Sequence, residues 1–151
     1  MENTFYPELG LTEKELMKKL PFTKATNGAT GETLDFTWYG RIPKGWRIAF
    51  GLDMLKEMAA EYKNFTRHDR KNWRVTGVLE KYGELRIYTG LTTPNMDAIL
   101  EKYTALSHKR CVDCGRPCKQ RGDGWIYTMC DDCYEAMVER EGHGANLSTP
   151  F

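Results

Sequence analysis

Cys111-Val112-Asp113-Cys114-Gly115 and Cys130-Asp131-Asp132-Cys133 decide how the C-terminal part of this chain folds. Two residues between cysteines let both sulfurs of a tight turn face one ion, and two such turns complete a tetrahedral thiolate site. The pairs are separated by fifteen residues. The spacing therefore assigns Cys111, Cys114, Cys130 and Cys133 to one structural Zn2+. A redox pair and a disulfide framework are the alternatives. The disulfide reading is the weaker, because charges such as Glu2, Glu8 and Glu13 interrupt Met1 to Leu20 and leave no secretory hydrophobic segment. Free thiolates fit a reducing, cytoplasmic compartment. A site closed by four thiolates offers no open position to a substrate, so the motif speaks to folding before it speaks to activity.

Around the cysteines the chain reads as a treble clef. Gly115 permits the tight backbone of a zinc knuckle. Lys119 to Met129 can form a hairpin over Gly122-Asp123-Gly124, with Trp125 and Tyr127 on one face as the finger's small core. The second pair opens a helix from Asp131 to Glu139, which Gly142 and Gly144 end, and a loose tail follows. Cys118 is a bystander thiol in this reading. His108 and His143 are polar residues at helix ends rather than ligands.

Upstream, the signals alternate between helix and strand. Thr12 and Glu15 form a capping box for a short helix with Leu16 and Leu20 on one face, stopped near Pro21. Thr23 to Thr33 reads as a loop or hairpin turn, and Leu34 to Tyr39 as a strand. From Trp46 to Tyr62 a helix is predicted, with Leu52, Leu55, Met58, Ala59 and Tyr62 as its buried stripe. Arg67 to Arg74 is polar and basic, and is expected to be a solvated loop. Trp73 to Tyr88 is the clearest hairpin, turning over Lys81-Tyr82-Gly83-Glu84. Thr92-Thr93-Pro94-Asn95 starts a second helix, whose stripe is Met96, Ile99, Leu100, Tyr103 and Leu106.

The fold class expected is α+β: a helix and β-hairpin body with a C-terminal treble-clef-like, four-cysteine zinc module. Its segments are an N-terminal helix and strand/loop stretch (1–44), a helix–hairpin–helix body (45–108), the zinc module (109–144) and a flexible tail (145–151). At 151 residues this suits one domain, or a domain with a metal-stapled appendage. Four tryptophans and 12% aromatic residues can supply a core. No apolar run approaches the roughly 20 residues of a membrane span.

The formal charge of +1 argues against an overall electrostatic hold on nucleic acid. Two local patches remain: Arg67, Arg70, Lys71 and Arg74 beside Trp73, and Arg116, Lys119 and Arg121 in the finger. Zinc with four thiolates carries a charge of about −2, which cancels much of the second patch. These eight residues are the candidate partner-contacting set. A His-metal nuclease would need a histidine near the start of the finger hairpin, and Lys119 to Tyr127 contains none. No phosphate-binding loop, dinucleotide fingerprint or nucleophile elbow occurs. No enzymatic activity and no small-molecule substrate are expected.

The motif set resembles a family of small proteins encoded by phages and bacterial genomes. It is carried by Gly45-Trp46, by the hairpin Val78-Leu79-Glu80-Lys81-Tyr82-Gly83-Glu84-Leu85-Arg86-Ile87-Tyr88, and by Ser107. The finger adds Cys111-Val112-Asp113-Cys114-Gly115, Trp125 and Met129-Cys130-Asp131-Asp132-Cys133. The similarity covers roughly Gly45 to Tyr134. It departs at Leu79, Glu84 and Cys118, where the family pattern has Lys, Gly and Gly. The resemblance implies zinc, a phage or mobile-element origin and therefore the host cytoplasm, but no agreed activity. On that basis the expectation is a non-enzymatic binding protein acting stoichiometrically on a protein partner, such as a host defence complex (anti-CRISPR type) or a host regulatory complex. The alternative is a nucleic-acid-binding accessory factor.

Overall fold

In a computed structural model that describes residues 3–122 and 124–141, the chain enters through a two-stranded ribbon, β1 (Phe5–Tyr6) and β2 (Leu11–Thr12). Thr12 then caps α1 (Glu13–Lys19): its hydroxyl accepts from the Glu15 amide, and the Glu15 carboxylate accepts from the Thr12 amide. Both bonds satisfy donors that a helix start otherwise leaves unpaired. Glu13, almost wholly buried, accepts hydrogen bonds from the Tyr6 hydroxyl, the Thr37 amide and the Thr37 hydroxyl. That saturates the carboxylate and ties the ribbon and helix to the sheet behind them.

The sheet has four strands in the order β4-β3-β5-β6. β3 (Lys24–Thr26) and β4 (Thr33–Thr37) form an antiparallel hairpin, so the Thr- and Gly-rich stretch between them is its turn. β3 also pairs in parallel with β5 (Val75–Lys81) through Ala25 and Val75. β5 returns as β6 (Glu84–Thr89) through Tyr82 and Gly83, both of which have positive φ. Such a pair matches the twist of a two-residue hairpin. The predicted strand over 34–39 ends at Thr37; Trp38 and Tyr39, both 0% exposed, turn inward instead.

The long helix starts as α2 (Lys44–Trp46), widens through a π turn at Arg47–Gly51, and continues as α3 (Leu52–Tyr62). Its buried residues include Trp46, Phe50, Met54 and Met58, at four-residue steps. In an ideal α-helix each such step drifts by about 40°. The wider π turn absorbs part of that drift and keeps the row facing the core. Leu52, expected in the buried stripe, is 38% exposed for the same reason.

Arg67 to Asn72 form α4, where a solvated loop was expected. Thr66 and Asp69 make a second capping box, and Trp73 follows as a core residue. α5 (Pro94–Ser107) is capped by Thr93 and buries Met96, Leu100, Tyr103 and Ser107. Leu106 is left at the surface, 37% exposed. Ser107 replaces it on the inner face because its hydroxyl accepts from the Leu85 amide and donates to the Thr104 carbonyl. The finger closes the described chain with β7 (Lys119–Arg121), β8 (Tyr127–Met129) and α6 (Asp131–Glu141). The ends expected at Gly142 and Gly144, His143, the tail over 145–151, and Asp123 lie outside the described residues. Among those described, no helix is long and apolar enough to cross a membrane.

Candidate metal centre

The first cysteine pair lies in a knuckle held by its own backbone. The Cys111 amide donates to the Arg116 carbonyl, and the Gly115 amide donates to the Cys111 carbonyl, at 2.7 and 2.9 Å. Gly115 has φ +83°, and a Cβ there would also lie 2.6 Å from the Gly45 carbonyl oxygen. The position needs glycine on both counts. The second pair straddles the start of α6, where the Cys133 amide reaches the Cys130 sulfur at 3.5 Å. Knuckle, hairpin and helix start are the three parts of a treble clef.

These elements bring the Sγ atoms of Cys111, Cys114, Cys130 and Cys133 within 4.8 Å of one another. Cys114 and Cys130 are 3.7 Å apart. Four sulfurs at about 2.3 Å from one zinc ion define a tetrahedron with edges of about 3.8 Å. A disulfide would need about 2.05 Å. The donor set is thus that of a single, closed structural zinc site, and the module is a zinc-finger type. Cys118 stays outside the cluster, with its amide donating to the Lys109 carbonyl. His108 pairs with Glu84 at 2.8 Å and takes no part.

Electrostatics around the sulfurs are uneven. Burial pushes the Cys111 thiol up. Burial also raises Cys133, reinforced by its hydrogen bonds with the other three sulfurs. Cys114 is opposed by burial as well, but hydrogen bonds from Arg116 and from neighbouring cysteines bring it down to about 6. Burial and the adjacent Cys111 and Cys130 hold Cys118 up at about 11. Arg116 is the organising cation: its Nε lies 3.2 Å from the Cys114 sulfur, its Nη2 3.5 Å from the Cys130 sulfur, and its Nη1 3.4 Å from Asp132. Such N–H···S contacts orient thiolates and stabilise their charge.

The finger is docked firmly on the body. The Gly45 amide donates to the Val112 carbonyl at 2.9 Å, and the Trp46 indole donates to the Arg110 carbonyl at 2.8 Å. A Cβ on Gly45 would come within 2.6 Å of Val112 backbone atoms. On the other side, the Gly83 carbonyl accepts from Thr128 and Gln120 of the finger hairpin. The Val112 amide donates to the Thr128 carbonyl, closing knuckle onto hairpin.

The partner-contacting set divides. Arg67, Arg70 and Lys71 are exposed on α4, while Arg74, just beyond it, is half-buried. Trp73, expected on the contact surface, is 3% exposed and packs against Phe22 and Phe65. Arg121 pairs with Asp131, donates to the Met129 carbonyl and lies over the Tyr134 ring. With Arg116 also engaged, Lys119 is the exposed finger cation of this set with no ion pair among the described residues. Trp125, expected in the finger's core, is 43% exposed; Tyr127 fills that core and packs against Tyr134. Sequence reasoning missed the buried Glu13 and the helix over Arg67 to Asn72, although Thr66-x-x-Asp69 announces the latter. No protein-family model matches the chain, and no curated protein or solved structure matches it.

Proposed function

We propose that this zinc-binding chain acts by engaging a macromolecular partner rather than by catalysis, with a protein as the partner. The observation that supports this reading is the closure of the metal centre. All four ligands are thiolates, and the groups around them are Arg116 and backbone amides, so no position is free to activate water. The zinc then serves to fix the finger against the Gly45-Trp46 helix start and the Tyr82-Gly83 turn. Rigid presentation of a surface lowers the entropy lost on binding. In the phage or mobile-element setting that the sequence resemblance implies, the partner is a host defence complex, of the kind anti-CRISPR proteins inhibit, or a host regulatory complex.

The rival reading, a nucleic-acid accessory factor, loses much of its basic surface, because Arg116 and Arg121 are occupied by sulfurs and acids. The two readings separate experimentally. Capture from bacterial lysate with wild type and with an Arg67→Glu, Lys71→Glu double variant should return one stoichiometric protein, lost with the variant. Binding to random duplex and single-stranded DNA across a salt series should show no salt-dependent retention. Retention on DNA with no captured protein would overturn the proposal.

A further inference from the structure

Where β3, the end of α3 and the end of α4 converge, they leave a cleft of ≈ 200 Å³ that no finger residue lines. Phe22, Tyr62 and Trp73 form its apolar wall, with Phe22 5.1 Å from Tyr62 and 6.2 Å from Trp73 between ring centroids. Lys24, Arg70 and Arg74 stand around it, and among the described residues none of the three forms an ion pair with a carboxylate. Arg70 is steadied over the Tyr62 ring and donates to the Lys63 carbonyl. Arg74 is held through Nη1 alone, which donates to the carbonyls of Arg70 and Trp73 at 3.0 and 2.7 Å. Its guanidinium is therefore positioned, while its remaining N–H groups have no acceptor among the described residues.

Two residues that line the cleft also carry a buried polar atom with no partner among the described residues: the Thr26 hydroxyl and the Trp73 indole N–H, in residues 4% and 3% exposed. Buried polar groups are nearly always hydrogen-bonded, because leaving them unpaired costs stability. Three unneutralised cations around a cleft whose lining residues hold two unsatisfied polar atoms are the complement of an anion with more acceptor oxygens than a carboxylate has. A phosphoryl group offers three oxygens and up to two negative charges, and a guanidinium fork fits them well.

We propose that this cleft binds a phosphoryl group, supplied by free inorganic phosphate or by a nucleoside monophosphate whose base lies along the aromatic wall. Arg70, Trp73 and Arg74 belong to the candidate partner-contacting set as well, but Arg67 and Lys71, which test that partner, do not line the cleft, so the two proposals fail separately.

The indole N–H resonances of the full-length, zinc-loaded protein provide the test, since Trp73 can be told from Trp38, Trp46 and Trp125. Titration with inorganic phosphate or AMP should move the Trp73 peak saturably and leave that of Trp38 in place. Arg74→Gln should weaken binding at least tenfold and the near-isosteric Thr26→Val several-fold, with both variants retaining native peak dispersion. Tighter binding of AMP assigns the nucleotide, and equal affinity assigns free phosphate; either supports the site. The proposal is overturned if neither compound moves the Trp73 peak at millimolar concentration, or if binding is unchanged in Arg74→Gln and in Lys24→Gln.

Discussion

Gly45 shows how a single hydrogen atom in place of a side chain joins two parts of this molecule. Its amide reaches the Val112 carbonyl because nothing stands between the helix start and the knuckle. Gly45→Ala forces those backbones apart, and overpacking of this kind costs about 1–3 kcal/mol. Thermal unfolding should register the loss, and the Trp46 indole should exchange its hydrogen faster. Ser107 is a second such residue. It occupies a buried face where Leu would be the ordinary choice, and Ser107→Ala leaves the Leu85 amide without its acceptor. A cost of about 1–3 kcal/mol is expected for that buried donor, measurable by denaturant titration. The resemblance motif gains a physical meaning here. Gly45, Trp46, Gly83 and Gly115 all lie at the junction between body and finger, with Ser107 fixing the hairpin that reaches it.

At the scale of elements, legibility followed local chemistry. The β5–β6 hairpin was readable because Tyr82-Gly83 is a turn signal flanked by alternating apolar residues, and α1 because its capping box is complete. The knuckle and the helix start were readable from cysteine spacing alone. The π turn at Arg47–Gly51 was not, since it obeys no residue code and only the burial of Trp46, Phe50, Met54 and Met58 reveals it. Trp73 misled because its charged neighbours hid a residue that tertiary packing draws inward. The parallel contact of Ala25 with Val75 joins residues fifty apart and leaves no local trace.

Two predictions belong to single elements. Thr66→Ala removes the cap of α4 and should destabilise the protein by about 1 kcal/mol, seen as a lower denaturation midpoint. Between α3 and α5, Glu57 accepts from Lys102 and Tyr103, and Lys102 first, then Tyr103, holds its carboxyl below the usual range. A depressed folded-state value stabilises the protein at pH above the unfolded carboxylate pKa, and the contribution disappears as pH falls through the folded value. Glu57→Gln should therefore narrow the stability gap between neutral and acidic pH, as measured by melting across that range.

For the whole molecule, the metal centre governs more than the finger. Metal analysis should find one zinc per chain, and Cys130→Ser or a strong chelator should unfold the segment from about Cys111 onward. Hydrogen exchange is the discriminating measurement, because loss of protection should spread into Gly45, Trp46 and the Tyr82-Gly83 turn. Protection in α1, β3 and β4 should survive. A metal-free protein with an intact finger would overturn the zinc assignment.

The Trp46–Arg110 and Gly45–Val112 bonds also impose an order of events on synthesis. Trp46 leaves the ribosome long before the carbonyls that complete its hydrogen bonding, and those carbonyls are fixed only when Cys130 and Cys133 have emerged and captured an ion. Until then the start of the long helix is unfinished, whatever the state of the sheet beside it. Zinc supply in the cell thus sets the moment at which the start of the long helix matures, and zinc starvation should leave chains with a defect some sixty-five residues before the first ligand, at Trp46.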